Sequence, residues 1–405
     1  MKSLALALLL FAGDSHATAD EPQWLLDARA KEGNLIESHL VTSADKHISF
    51  SIPVALSGEL KEDKDSYEAI FALGPQAAAD CEILNVDIDV AALLRETART
   101  TFSDVIEKAQ GKIEKRVVER IDAGVAGATP YLGVLWLYRV NDGKGAKLGA
   151  LRQYAATRSG HGIYCVLNDL GYAKTFEKVV HALIDSLKTK DDEEVPYYSE
   201  VSVATLRDMR IGYSALEMHR DKDGDTKSVE TTALLTTSGS EALQSHDGIH
   251  VEWINPDGAL INGKRVISNN GEIEMDLALN RGDGGSWRVE GKFKGKDVKE
   301  AITGGVPSTW LSQTNLLRTL LAKERQIGAE ASESEWLGAD PGRFTDTTMK
   351  VLAAVDANTY SVRETAGNSS MDLVVDRATG QATQGIMQMG PVAIRFDRIY
   401  VQGSP

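Results

Sequence analysis

Apolar residues alternate with polar ones early in the chain. Ile48, Phe50 and Ile52 share one side of a predicted strand that ends at Pro53. Ser66–Leu73 and Glu82–Ile88 predict two more strands. The period then changes. Val90, Leu94, Thr101, Phe102, Val105 and Ala109 recur at helical spacing, which predicts an amphipathic helix of about 20 residues ending at Gly111. Alternation returns over Lys115–Ile121, Leu132–Val140, Leu148–Thr157 and Gly162–Leu167. The turns Asn141-Asp142-Gly143 and Ser159-Gly160 mark hairpins between these strands. A last helix over Lys174–Leu187 places Phe176, Val180, Leu183, Ile184 and Leu187 on one face. Residues 20–33, with Trp24, Leu25 and Leu26, read as a lead-in helix or arm. The order predicts an α+β sheet with helices covering one face.

From Val201 the pattern is strand and turn. Strands are expected at 210–219, 228–237, 249–254, 272–279, 286–293, 350–355, 360–364, 371–376 and 392–401. Turn residues punctuate them at Asp223-Gly224, Pro256-Asp257-Gly258, Asn262-Gly263, Asn270-Gly271 and Gly282–Gly285. One helix, Thr309–Lys323, puts Trp310, Thr314, Leu317 and Leu321 on one face. Residues 325–348 read as a long polar loop, of the kind that serves as a lid, a contact surface or plain surface. Many strands with one helix predict a curved antiparallel sheet plugged on its concave side.

Between the two patterns lies Thr189–Pro196. Its four consecutive carboxylates stay hydrated, and Pro196 bars a continuous helix. The predicted division is therefore a leader over 1–19, an α+β sandwich over 20–188, an acidic linker over 189–196 and a β-rich domain over 197–405. The fold class is α+β: two domains, each a mainly antiparallel sheet with one or two packed helices. A length of 405 residues suits two such domains.

The leader follows from Lys2, the apolar run Leu4–Ala12 and the small-residue site Ala17-Thr18-Ala19. Together they read as a cleaved secretory signal, too short to span a bilayer. The expected location is periplasmic or secreted, and the mature chain is expected to be soluble, with no transmembrane segment. A net charge of −15 removes the counterion-release drive for nucleic-acid binding and disfavours anionic lipid surfaces. Cys81 and Cys165 are the only cysteines. In an oxidising compartment they are disulfide candidates, closing a loop of about 84 residues worth about 4–5 kcal/mol. The alternative is two separate buried thiols.

The element order of the first half, with its ending GIYCVLND…FEKVVHALIDSLK, resembles the exported PsbP-like α/β sandwiches, including the bacterial DcrB-type proteins. That resemblance implies a binding or accessory module. The strand-rich second half with its single helix is similar in outline to exported lipid carriers of the LolA and LppX kind, which implies an apolar ligand in the concave face.

Several short motifs invite chemistry. Asp221-Lys222-Asp223-Gly224-Asp225 spaces carboxylates as a calcium loop does. Thr226 stands where that loop needs glycine, and Thr232 where it needs a bidentate Glu, so a hairpin turn is the better reading. Gly258–Lys264 matches GxxxxGK, but Arg265 follows instead of Ser or Thr. Ser43–Lys46 matches SxxK without a KTG element. His246 and His250 share one face of a strand about 13 Å apart, too far for one metal ion unless a turn intervenes at Asp247-Gly248. Trp253, Trp287, Trp310, Leu317 and Leu321 read either as core or as the lining of an apolar pocket. No cofactor and no metal are expected. The leading functional reading is an exported, non-catalytic binding or carrier protein, its partner a lipid or apolar small molecule. The alternatives are an acidic interaction or inhibitor-like module meeting an envelope protein, and a hydrolase whose catalytic group one sequence does not reveal.

Overall fold

The computed structural model describes residues 23–190, 195–239, 242–302, 305–322, 327–338 and 340–405. The expected leader and the four linker carboxylates lie outside these residues. The chain divides into two compact units. One takes in the described residues before 194 together with 235–245, and the other takes in 195–234 and 246–405.

The first unit begins with α1 (Gln23–Arg29), β1 (His39–Thr42), β2 (Ile48–Ile52), β3 (Lys61–Glu62), β4 (Ser66–Gly74) and β5 (Ala77–Leu84). A long helical segment follows: α2 (Val90–Thr100), a π-helical turn over Thr101–Ile106 and α3 (Glu107–Gln110). Then come β6 (Lys112–Ala126), β7 (Thr129–Asn141), β8 (Ala146–Arg158), β9 (His161–Asn168), α4 (Ala173–Ser186) and β10 (Lys188–Thr189). A seven-stranded antiparallel sheet has the order β3-β4-β5-β9-β8-β7-β6, beside a small sheet β1-β2-β10. Helix α4 lies between them. Its Phe176, Val180, Leu183 and Ile184 pack with Phe50 and Ile52 of the small sheet and with Phe71, Ala79 and Ile163 of the large one.

Helices cover both faces of the large sheet, not one as expected. Tyr154 meets Phe176 of α4 on one face, while Trp136 and Tyr138 meet Phe102 of the long helical segment on the other. The central run Tyr131–Val134 of β7 is accordingly buried without a break, the mark of a strand covered on both sides. The π-helical turn adds a residue to the helical period. It turns Phe102 and Ile106 inward and leaves Val105 exposed, where regular spacing placed Val105 on the buried face. Strand β5 also begins earlier than expected, at Ala77, because its first buried positions are Ala77, Ala79 and Cys81, small residues that make a faint apolar pattern ahead of Ile83. Cys81 and Cys165 are direct cross-strand partners on β5 and β9, and they form a disulfide.

The second large sheet begins with β11 (Tyr198–Leu206), β12 (Met209–Arg220), β13 (Thr226–Ser238), β14 (Ala242–Ile254), β15 (Leu260–Asn269), β16 (Glu272–Arg281), β17 (Trp287–Phe293) and β18 (Lys296–Ile302). After α5 (Trp310–Leu321) follow β19 (Glu330–Glu335), β20 (Thr345–Ala354), β21 (Thr359–Ala366), β22 (Ser369–Asp376), β23 (Ala382–Met389) and β24 (Val392–Gly403). All fourteen strands form one antiparallel sheet, β18-β17-β16-β15-β14-β13-β12-β11-β24-β23-β22-β21-β20-β19. Strands β11, β15, β18, β19 and β23 had no counterpart among the expected strands. The expected 325–348 loop contains β19.

The sheet curls on itself. Edge strand β19 and strand β15 stand far apart in sheet order, yet Arg265 of β15 donates to the Leu337 carbonyl just past β19, at 3.0 Å. Trp336 packs beside Leu260, Leu277, Leu279 and Trp287 of β15–β17. Helix α5 fills the concave side. Its N-terminal Trp310 and Leu311 rest on Tyr198, Leu216 and Met218, and Leu317, Leu320 and Leu321 pack on β20–β22. Gly380 permits this seat: a Cβ there would collide with the Thr314 carbonyl of the helix, and its φ is +73°.

Candidate functional site

The candidate site is a small cavity between the helix start and the concave sheet, wholly inside the second unit. Thr309 caps α5 by accepting from Ser312 N at 3.1 Å, and its own N–H is held by Ser312 Oγ at 2.9 Å. The next free amide of that turn, Trp310 N, donates to Glu252 Oε2 of β14 at 3.2 Å. The helix start therefore faces a carboxylate, the arrangement its positive end favours.

Register places the remaining groups. Cross-strand pairing sets His250 opposite Arg265, whose guanidinium Nη2 lies 3.2 Å from His250 Nδ1. Arg265 has only donors, so Nδ1 accepts and the imidazole carries its proton on Nε2. That nitrogen stands 3.7 Å from Glu252 Oε1. Glu230 of β13 reaches within 4.0 Å of His250 Nδ1, and Glu335 of β19 within 4.0 Å of Arg265 Nη2. Thr347 Oγ1 donates to Glu335 Oε2 at 3.0 Å. Leu216, Ser228, Ser308, Trp310 and Gln313 complete the wall around a cavity of about 50 Å³.

Burial is the main cause of the electrostatics. It raises Glu252 to about 7, with the neighbouring Glu335 and Glu230 pushing the same way against the Trp310 amide and Arg265. Burial likewise raises Glu364 of β21 to about 7, with Glu335 and Glu230 adding to it. Glu230 lines the same cavity with its side chain 48% exposed. Burial, then the Arg265 charge, holds His250 well below its ordinary value, so the ring is neutral. Three carboxylates, Glu230, Glu252 and Glu335, thus line the cavity with one guanidinium, and Glu364 lies near enough to feel two of them. Such a set can accept hydrogen bonds from a cation, or exchange protons near neutral pH.

The residues singled out in the sequence sit as follows. Trp310 lines the cavity. Trp287 lies in the core behind Trp336, and Leu317 and Leu321 lie in the core under α5. Trp253 is half-buried on β14, with the Lys227 ammonium 5.9 Å from its ring centre. Asp221 Oδ1 accepts from the amides of Asp223 and Asp225 at 2.9 and 3.0 Å, which makes a closed turn between β12 and β13. Among the described residues no group of three or more His, Cys, Asp or Glu is placed to hold a metal ion. His246 is engaged separately from His250, with Asn269 at 2.8 Å. Gly258 forms a turn with Asn255, and the strand β15 that follows replaces the helix a phosphate loop requires. Glu230, Glu252, Arg265, Glu335 and Glu364 were not singled out from the sequence. The one signal was charge at positions inside strands, where solvent-facing carboxylates look the same.

No family model matches this chain, and no curated protein does. Several solved structures are similar to part of it, including these two. One is a β-barrel-like protein of domain of unknown function DUF1849 from Brucella abortus, at 12% identity and TM-score 0.39, covering 52% of this chain and 98% of that one. The other is a DUF1089 family protein from Pseudomonas aeruginosa, at 15% identity and TM-score 0.25, covering 42% of this chain and 87% of that one. Neither is described as a PsbP-, DcrB-, LolA- or LppX-like protein. The fold stands as β-rich and mainly antiparallel.

Proposed function

We propose that the chain is an exported, non-catalytic binding protein, and that its second unit takes a small cationic group, an ammonium or guanidinium, in the cavity beneath α5. One observation carries the reading: Glu230, Glu252 and Glu335 line a space beside the Arg265 guanidinium and the neutral His250 imidazole. A cation entering there gains charge-assisted hydrogen bonds and removes carboxylate repulsion. The Trp310 indole in the wall adds a face that attracts cations. A volume of about 50 Å³ holds a few waters or a cationic head. Pockets for drug-sized apolar ligands run to about 300–1,000 Å³, so an acyl chain is the poorer fit.

Isothermal titration of the full chain with a short diamine, with methylguanidine and with oleate tests this. Saturable binding of a cation that weakens in Glu252→Gln supports the proposal. Oleate binding at one per chain, with no response to either cation, overturns it in favour of an acyl carrier.

A further inference from the structure

The first unit holds a pair of imidazoles that its core does not account for. His161 opens β9 and is 8% exposed. Its Nδ1 lies 2.8 Å from the Ser159 carbonyl, which can only accept, so Nδ1 carries the proton. That leaves Nε2 as a bare lone pair, and this buried atom has no hydrogen-bond partner. A buried acceptor left empty costs about 1–3 kcal/mol, so its retention calls for a reason.

His47, just before β2, provides one. Its ring centre lies 5.6 Å from that of His161 and 6.5 Å from that of Tyr67, which stacks on its other side. The backbone of His47 is fixed: its N–H donates to Asp45 Oδ1 at 2.8 Å, and its carbonyl accepts from Lys190 N at 2.7 Å. Asp45 is fully engaged, since it also accepts from Ser43 Oγ at 2.5 Å and from the Tyr67 hydroxyl at 2.8 Å. Asp45 and the His47 backbone are thus occupied, while Nε2 of the neighbouring His161 is not. A histidine that donates from one ring nitrogen to a backbone carbonyl and leaves the other free has the second-shell pattern of a metal ligand.

We infer that His47 and His161 form a two-imidazole site for a borderline divalent transition metal. Nitrogen donors favour Zn²⁺, Ni²⁺ and above all Cu²⁺, and exclude Ca²⁺ and Mg²⁺, which require oxygen ligands. No third His, Cys, Asp or Glu joins the pair among the described residues. Water or an incoming ligand supplies the remaining positions from the side of His47, the partly exposed member of the pair.

The test is Cu²⁺ titration of the full chain, followed by electron paramagnetic resonance with spin-echo detection of remote imidazole nitrogens. The expected result is one Cu²⁺ per chain with two equatorial imidazoles. His47→Ala, at a half-exposed loop position, should lose the two-imidazole signature and weaken binding at least about tenfold. Changes outside the ligand set alone cost about 10–100-fold. An unchanged near-ultraviolet circular dichroism spectrum shows that this variant is folded. A spectrum with one imidazole or none in the parent chain overturns the inference, as does an unchanged two-imidazole signal in His47→Ala.

Discussion

Substituting Glu252 by Gln should make the second unit less sensitive to alkali. The carboxylate is nearly buried, with 9% of its side chain exposed, and its value is raised from an ordinary 4.5 to about 7. A carboxyl raised by folding binds its proton more tightly in the native state. Stability from this group is therefore fully present below about pH 4.5 and is lost as pH rises through about 7. At about 1.36 kcal/mol per pKa unit, that interval amounts to about 3 kcal/mol between pH 4.5 and pH 8. The glutamine amide keeps an oxygen to accept from Trp310 N and has no proton to lose. Urea unfolding followed by tryptophan fluorescence reads the effect, because Trp253, Trp287, Trp310 and Trp336 all lie in this unit. The parent chain should lose stability between pH 5 and pH 8, Glu252→Gln should lose about 3 kcal/mol less, and at pH 8 the variant should be the more stable protein. Equal pH dependence in the two, or a variant destabilised as much at pH 8 as at pH 5, would refute the reading of a carboxyl held protonated by burial.

Arg265→Met should destabilise the second unit by about 3–5 kcal/mol, the range for removing one partner from a buried charge cluster; the measurement is urea unfolding at pH 7. Cation affinity at the cavity should rise from pH 6 to pH 8, because Glu252 must lose its proton to receive a cation, and calorimetry in buffers of different ionisation enthalpy should detect the proton released. Cys81→Ala with Cys165→Ala should cost the first unit about 4–5 kcal/mol, read as a lower thermal midpoint in the scanning calorimeter. Ile106→Ala should cost about 2–5 kcal/mol and Val105→Ala less than about 0.5 kcal/mol, and equal costs by chemical denaturation would contradict the phase set by the π-helical turn.

Where a strand has one apolar side, the sequence by itself determined it. Ile48, Phe50 and Ile52 alternate because one face of β2 meets the core, and Phe176, Val180, Leu183 and Ile184 recur at helical spacing because one face of α4 does. The cysteine pair was legible as a candidate, but the neighbouring positions of β5 and β9 closed it. The candidate site was not legible, for a physical reason. Strand β19 reads Glu-Ala-Ser-Glu-Ser-Glu, and its inward side faces a polar interior, so neither face has an apolar period to detect. Glu230 and Glu364 likewise look like ordinary surface carboxylates on their strands. Only the curl of the fourteen-stranded sheet, bringing Glu335 of one edge strand to Arg265 of β15 across about 70 intervening residues, turned scattered charges into one enclosed cluster. Local pattern records which side of an element avoids water; which charges must share an enclosure is decided by tertiary contacts that no local period encodes.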